Sequence, residues 1–184
     1  MSVPELPTRR MRLVPATATL VRAEMAGRER LAPMLRAAVP DAWPPETLAD
    51  ALPFFLARLE ADPASVGWYA WYGLVRTAEP EQALLVANGG FKGPPRGGVA
   101  EVGYAVLEAF QGRGYATEMV TALVGWALRR PGVERVVAET MPDNRPSIRV
   151  LEKVGFQPAG PGEEPGSLRF ELHPTGRLSA GRTT

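Results

Sequence analysis

Chemistry in this chain is most concentrated in residues 104–117, YAVLEAFQGRGYAT. There a strand-like apolar run passes into a short turn, Gln111, Gly112, Arg113 and Gly114, and then directly into a strongly helical stretch. The first N–H groups of a helix have no partner inside the helix and point outward, so a phosphate placed there accepts several at once. Glycines allow close approach, and an arginine adds charge. The turn is therefore predicted to cradle an anion of about diphosphate size. Taken alone, a glycine-rich turn without a ligand accounts for the segment equally well. The glycines do not follow Gly-x-Gly-x-x-Gly, and no Gly-Lys-Ser/Thr comes after them, which disfavours a dinucleotide or a nucleoside triphosphate. Pro142, Asp143, Asn144, Arg145, Pro146 and Ser147 form a second turn into a helix, just past a strand-like run. Two helix starts near the same end of neighbouring strands are the usual setting for a ligand crevice.

The elements that must position these turns are legible from periodicity. Residues 10–15 read as a first strand, followed by helical patterns over 18–39 and 45–61. In the second helix Leu48, Leu52, Phe55 and Leu59 make a buried stripe, and Pro53 predicts a kink or break. Residues 68–75 and 83–91 read as an antiparallel pair across the polar turn 77–82, and residues 100–107 as a third strand. A helix over 116–129 presents Met119, Val120, Leu123 and Ala127 on one face and ends before Pro131 and Gly132. A strand over 133–140, a helix from Asn144 or Arg145 to Gly155, and closing strands over 156–157 and 167–172 complete the chain. This order predicts an α/β (α+β mixed) fold, a mixed sheet with helices on both faces. One domain over residues 9–173 is expected, with flexible tails over 1–8 and 174–184.

Composition narrows the chemistry. With 184 residues, 45% of them hydrophobic, 22% charged, and a formal net charge of +1, the chain reads as one globular domain with no bulk attraction for a long polyanion. Nucleic-acid binding through Arg9, Arg10 and Arg12 is a distant alternative. There is no cysteine and one histidine, His173, so a metal centre is not expected. No stretch suits a signal-peptide core or a membrane span, and a cytoplasmic location, with no membrane partner, is the expectation.

Two ordered motifs make the reading more specific. Gln111-x-x-Gly114-x-Ala116 after a strand is followed by Asn144-x-x-Ser147 and then by Val150-Leu151-Glu152-Lys153-Val154-Gly155-Phe156. Together they resemble the GNAT superfamily of N-acetyltransferases, in its ribosomal-protein (Rim-type) branch. The resemblance runs over roughly residues 11–172 and is strongest over 99–156. It implies a mostly antiparallel sheet whose central strands splay to form a cofactor cleft. In that cleft Gln111, Gly112, Arg113, Gly114, Tyr115, Ala116 and Thr117 wrap the diphosphate of acetyl-CoA, and the strand at Tyr104, Ala105 and Val106 pairs with its pantetheine arm.

The same resemblance implies the catalytic roles. Backbone N–H groups near residues 104–106 would meet the thioester oxygen. Glu139 takes the place of the glutamate base, with Glu101 in reserve; a strand-end carboxylate balancing Arg135 or Arg145 is the plainer reading. Ser147 matches a serine that hydrogen-bonds the coenzyme sulfur as acid, and Asn144 would orient the cofactor's amide or a water. Both also suit helix capping. Many relatives carry a tyrosine acid where this chain has Leu151, a departure that puts acid catalysis in question. Arg149 and Lys153 suit solvated charges or the nucleotide end of the cofactor. Trp68, Tyr69, Trp71 and Tyr72 suit an acceptor pocket or strand packing. The implied partners are acetyl-CoA and an amine, a small molecule or a protein N-terminus, and the resemblance allows a homodimer. The alternative is a coenzyme A-binding sensor or interaction module with little turnover.

Overall fold

The computed structural model describes residues 3–77 and 83–174. Its core is a nine-stranded sheet among the described residues, in the order β1-β2-β4-β5-β6-β7-β9-β8, with β3 beside β5. The strands are β1 (Leu6–Pro7), β2 (Met11–Pro15), β3 (Ala37–Ala38), β4 (Trp71–Arg76), β5 (Ala83–Phe91), β6 (Val99–Val106), β7 (Arg135–Thr140), β8 (Gln157–Pro161) and β9 (Leu168–Leu172). Among the described residues only β6–β7 and β3–β5 pair in parallel. The helices are α1 (Ala18–Ala26), α2 (Arg28–Leu35), α3 (Glu46–Ala61), α4 (Tyr115–Leu128) and α5 (Arg145–Val154).

Each face of the sheet carries its own apolar layer. Alternation along β2 sends Met11 and Leu13 to one side and Val14 to the other, where α1, α2 and α3 contribute Leu20, Leu31, Leu35, Leu48, Leu52 and Leu59. On the first side α4 lays Met119, Val120, Leu123 and Trp126 onto Val86, Ala100, Val102 and Val136, and α5 adds Leu151. The aromatic run reads as packing rather than pocket. Trp68 and Trp71 stand at 4.7 and 5.4 Å from the Trp126 ring, Tyr69 meets Phe54 and Phe55, and Tyr72 donates to the buried Glu24 at 2.6 Å.

Three expectations from sequence change here. The helical pattern over 18–39 is two helices, because Gly27 at φ 122° both closes α1 and opens α2. Helix α3 runs unbroken through Pro53, which faces solvent, where water can satisfy the carbonyl that loses its N–H partner. Residues 3–8, expected as flexible tail, are held: Leu6 and Pro7 pair with Leu13 and Arg12, and the Thr8 hydroxyl donates to Glu118 Oε1 at 2.5 Å. The C-terminal tail beyond residue 174 and all but Thr77 of the turn 77–82 lie outside the described residues.

Where β5 ends, its backbone crosses the start of β4 closely; Phe91 N–H donates to Tyr69 O at 3.1 Å. A side chain at Gly90 would run into that same Tyr69 carbonyl. The Gly90→Ala variant is accordingly expected to lose about 3 kcal/mol or more, a fall in Tm of about 6–12 °C, because backbone rather than a movable side chain must give way. Thermal denaturation with circular dichroism checks this.

Candidate active site

The parallel pair β6–β7 is joined only from Val99 to Glu101, opposite Arg135 to Val137. Beyond that point the strands part. Strand β7 is paired by β9 along Val136–Thr140 on its other side. Strand β6 keeps its bonds to β5 from Val102 to Val106. Residues 102–106 thus present an edge of main-chain donors and acceptors to the gap. Gly103 leaves space beside that edge: no heavy atom lies within 4 Å of where its Cβ would be.

A cleft of about 430 Å³ opens along this edge. It is lined by Tyr104, Ala105 and Val106 of β6, by the turn and first residues of α4, and by the start and one flank of α5. Gly112 and Gly114 both take left-handed backbone, φ 72° and 83°, which bends the strand-to-helix turn back on itself. Helix α4 starts at Gly114 with no side chain capping its N–H groups. Those groups, with the positive end of the helix dipole, face the cleft. Nothing occupies the space over Gly112. No carboxylate lines the cleft, whereas Arg149 and Lys153 do. An uncapped helix start, an open glycine cradle and flanking cations fit a diphosphate, and the free strand edge fits an extended amide-bearing arm.

Of the residues singled out from sequence, Tyr104, Ala105, Val106, Gln111, Gly112, Gly114, Tyr115, Ala116, Thr117, Asn144 and Ser147 line this cleft together. Arg113 does not: its guanidinium lies over the Phe110 ring at 5.4 Å and its carbonyl accepts from Arg10 Nη1 at 2.8 Å. Gln111 ties the turn to the strand end, its Nε2 donating to Val106 O at 3.0 Å. Asn144 caps α5, accepting from Ser147 N–H at 3.2 Å. Arg149 and Lys153, which the sequence leaves open between solvent and the nucleotide end of the cofactor, line the cleft with Pro146 and Val150; their three- and four-residue spacing along α5 puts them on one face.

The side chain of Tyr104 was read only for its backbone. Its hydroxyl lies 2.8 Å from Ser147 Oγ and 3.2 Å from Ser147 O, joining the two sides of the cleft. Burial raises the Tyr104 hydroxyl above its ordinary pKa, and the Ser147 bond only partly offsets this, so the phenol keeps its proton at neutral pH. Leu151, where many relatives place a tyrosine, is fully buried against the core.

Glu139 is not among the cleft-lining residues. It points to the opposite side, with its side chain 6% exposed, and accepts from Glu163 N, Glu164 N, Ser167 Oγ and Arg169 Nη1 at 3.0 to 3.4 Å. Burial raises its pKa, but the hydrogen bonds from Glu163, Ser167, Glu164 and Arg169 together outweigh that and hold it below the ordinary value. The carboxylate braces the loop between β8 and β9. Glu101 is likewise engaged, with Lys92 Nζ at 2.5 Å.

The fold and cleft bring a free strand edge and an uncapped helix start together between splayed strands. Comparison with known families gives this arrangement its name: the acetyltransferase (GNAT) domain matches residues 10–157, and the chain belongs to that family. The uncharacterized N-acetyltransferase YjdG of Bacillus subtilis is 31% identical over 115 residues, covering 62% of this chain and 66% of YjdG. An acetyltransferase from Agrobacterium tumefaciens shares the fold with TM-score 0.63 at 24% identity, covering 94% of this chain and 96% of its own. The ribosomal L7/L12 α-N-protein acetyltransferase RimL, solved in complex with coenzyme A, shares it with TM-score 0.60 at 18% identity, covering 92% and 98%. No helix among the described residues is long and apolar enough to cross a membrane.

Proposed function

We propose that this chain transfers an acetyl group from acetyl-CoA to a primary amine, of a small molecule or a protein N-terminus. The observation that carries this is the meeting, in one cleft without carboxylates, of a free strand edge at residues 102–106 and the uncapped start of α4. The amides of Gly112 to Thr117 hold the diphosphate, β6 orders the pantetheine arm as an added strand, and Arg149 and Lys153 meet the nucleotide phosphate. RimL, a protein with this fold solved with coenzyme A, supports the ligand; its named substrate, a ribosomal protein's α-amine, supports the acceptor class.

In the transfer step, main-chain N–H groups of β6 stabilise charge growing on the thioester oxygen. Ser147 gives a proton to the departing sulfur and is resupplied by Tyr104, which regains a proton through solvent from the nitrogen as the amide forms. With Tyr104 as donor in their 2.8 Å bond, the Ser147 hydrogen is left to point into the cleft. The amine loses its proton to solvent before attack. A carboxylate held by four donors and below its ordinary pKa is a weak base for an amine. We therefore assign Glu139 a bracing role rather than that of the base.

This assignment separates stability from rate. The Glu139→Gln variant, which keeps the shape but loses the charge opposite Arg169 while Glu163 and Glu171 stay 3.5 Å from that guanidinium, is expected to lose about 2 kcal/mol, some 4–8 °C in Tm, while kcat/KM of the folded protein changes by less than about tenfold. Because the folded pKa is depressed, the wild-type contribution is present above the unfolded carboxylate value of about 4.3 and is lost as pH falls below it. The variant should lose that dependence. A drop of more than about 100-fold in kcat/KM with the fold intact would instead make Glu139 the base.

The engagement of both Glu139 and Glu101 favours a second reading, a coenzyme A-binding module with little turnover. A free-thiol release assay over a panel of small amines and N-terminal peptides separates the two. Amine-dependent release supports transfer; binding of acetyl-CoA without release from any amine supports the module.

A further inference from the structure

The N-terminal arm reaches the cofactor turn from the far side of the sheet order, through Arg10. Its Nη1 donates to Arg113 O at 2.8 Å, in the middle of the glycine turn. Its Nε donates to Glu118 Oε2 at 2.8 Å, one turn into α4, and its guanidinium carbon lies 4.7 Å from the Tyr115 ring centroid. Nη2 is close enough to Gly114 that a Cβ there would stand 3.2 Å from it. Glu118 is fixed in turn: its Oε1 accepts from Arg10 N–H at 2.6 Å and from the Thr8 hydroxyl at 2.5 Å. Burial opposes the charged form of Glu118, but the bonds from Thr8 and Arg10 outweigh it and keep the carboxylate ionised.

We propose that Arg10 is a positioning residue for the diphosphate turn, clamping residues 113 to 118 in the conformation that aims their amides into the cleft. Two left-handed glycines on either side of Arg113 make this turn cheap to bend in the unfolded and the unliganded chain alike. A planar fork that spans a turn carbonyl and a helix carboxylate removes that freedom before the ligand arrives, and a preorganised donor set binds more tightly than one that must be ordered. Lysine cannot do the same, since a single ammonium cannot hold both ends with fixed geometry. Arg12 is placed otherwise, with Glu5 and Leu35 O, so the clamp belongs to Arg10 and not to a general basic patch.

The proposal rests on the acetyltransferase reading, and the test keeps the two apart. Acetyl-CoA is titrated calorimetrically into wild-type, Arg10→Met, Arg10→Lys and Glu118→Gln proteins, and amide hydrogen exchange is followed without ligand at residues 118–121, the first hydrogen-bonded amides of α4 after the turn. Expected is a Kd raised about tenfold or more in Arg10→Met and Glu118→Gln, little recovery in Arg10→Lys, and faster exchange at these amides in all three. Full recovery in Arg10→Lys would show a charge effect and overturn the clamp. So would a wild-type Kd and exchange pattern in Arg10→Met, whatever its Tm. Should Arg10→Met fail to fold, Glu118→Gln and Arg10→Lys carry the same comparison. Failure of wild-type protein to bind acetyl-CoA would sink the functional reading, while the exchange measurement would still judge the clamp.

Discussion

Replacing Gly112 by Asp is expected to weaken acetyl-CoA binding about 100-fold or more, while Gly112→Asn weakens it only a few-fold. Gly112 has φ 72° and open space where a side chain would begin. Asp and Asn are the L-residues that best tolerate this left-handed backbone, so both variants should fold with a similar small loss. They differ by one negative charge placed in the cradle. A unit charge about 6–8 Å from a phosphate, at an effective dielectric of about 20, costs about 2–3 kcal/mol, and 1.4 kcal/mol is a factor of ten in affinity. Calorimetric titration of the two variants side by side isolates that charge. Equal affinities would mean that no anion sits over Gly112.

The second large effect concerns the proton for the leaving thiolate. Ser147→Ala and Tyr104→Phe are each expected to lower kcat by about 10- to 100-fold, at the lower end of what general acids contribute, because a thiol of pKa about 8.5 leaves tolerably well unaided. The two hydroxyls act as one donor, so the double variant should be little slower than either single one, whereas independent roles would multiply. Steady-state rates at saturating acetyl-CoA give the cycle. Because burial raises the Tyr104 pKa, loss of half the rate by its ionisation is expected only above the ordinary tyrosine value of about 10. A fall beginning near neutrality, absent in Tyr104→Phe, would contradict this.

The contrast between Tyr104 and Glu139 shows how far the sequence could be read. The cradle was legible because its chemistry is local: a strand, two glycines and a helix start lie within residues 104–117, and main-chain donors need no distant partner. The strand order of β6, α4, β7 and α5 followed from the same logic, and the two motifs sit at the two helix starts of one cleft. Side-chain roles were less legible, since they depend on contacts across long stretches of chain. Glu139 stands where a strand-end base is sought, yet its donors come from residues 163 to 167 of the β8–β9 loop and from Arg169 opposite it on β9, a register that nothing near Glu139 encodes. The Tyr104 hydroxyl meets Ser147 across 43 positions, and Arg10 meets Arg113 across 103. The division of the first helical pattern was readable in principle, because Gly27 lies within it, but the apolar spacing on both sides of the break masked it.

In the proposed reading this cleft seats acetyl-CoA by its diphosphate and pantetheine arm. Titration of the purified wild-type chain with acetyl-CoA by calorimetry tests it most directly, with thermal denaturation run in parallel to report on the fold. One site per chain with a micromolar Kd and a rise in Tm on saturation are expected. No heat of binding and no shift in Tm at millimolar acetyl-CoA, from a protein that melts cooperatively, would contradict it.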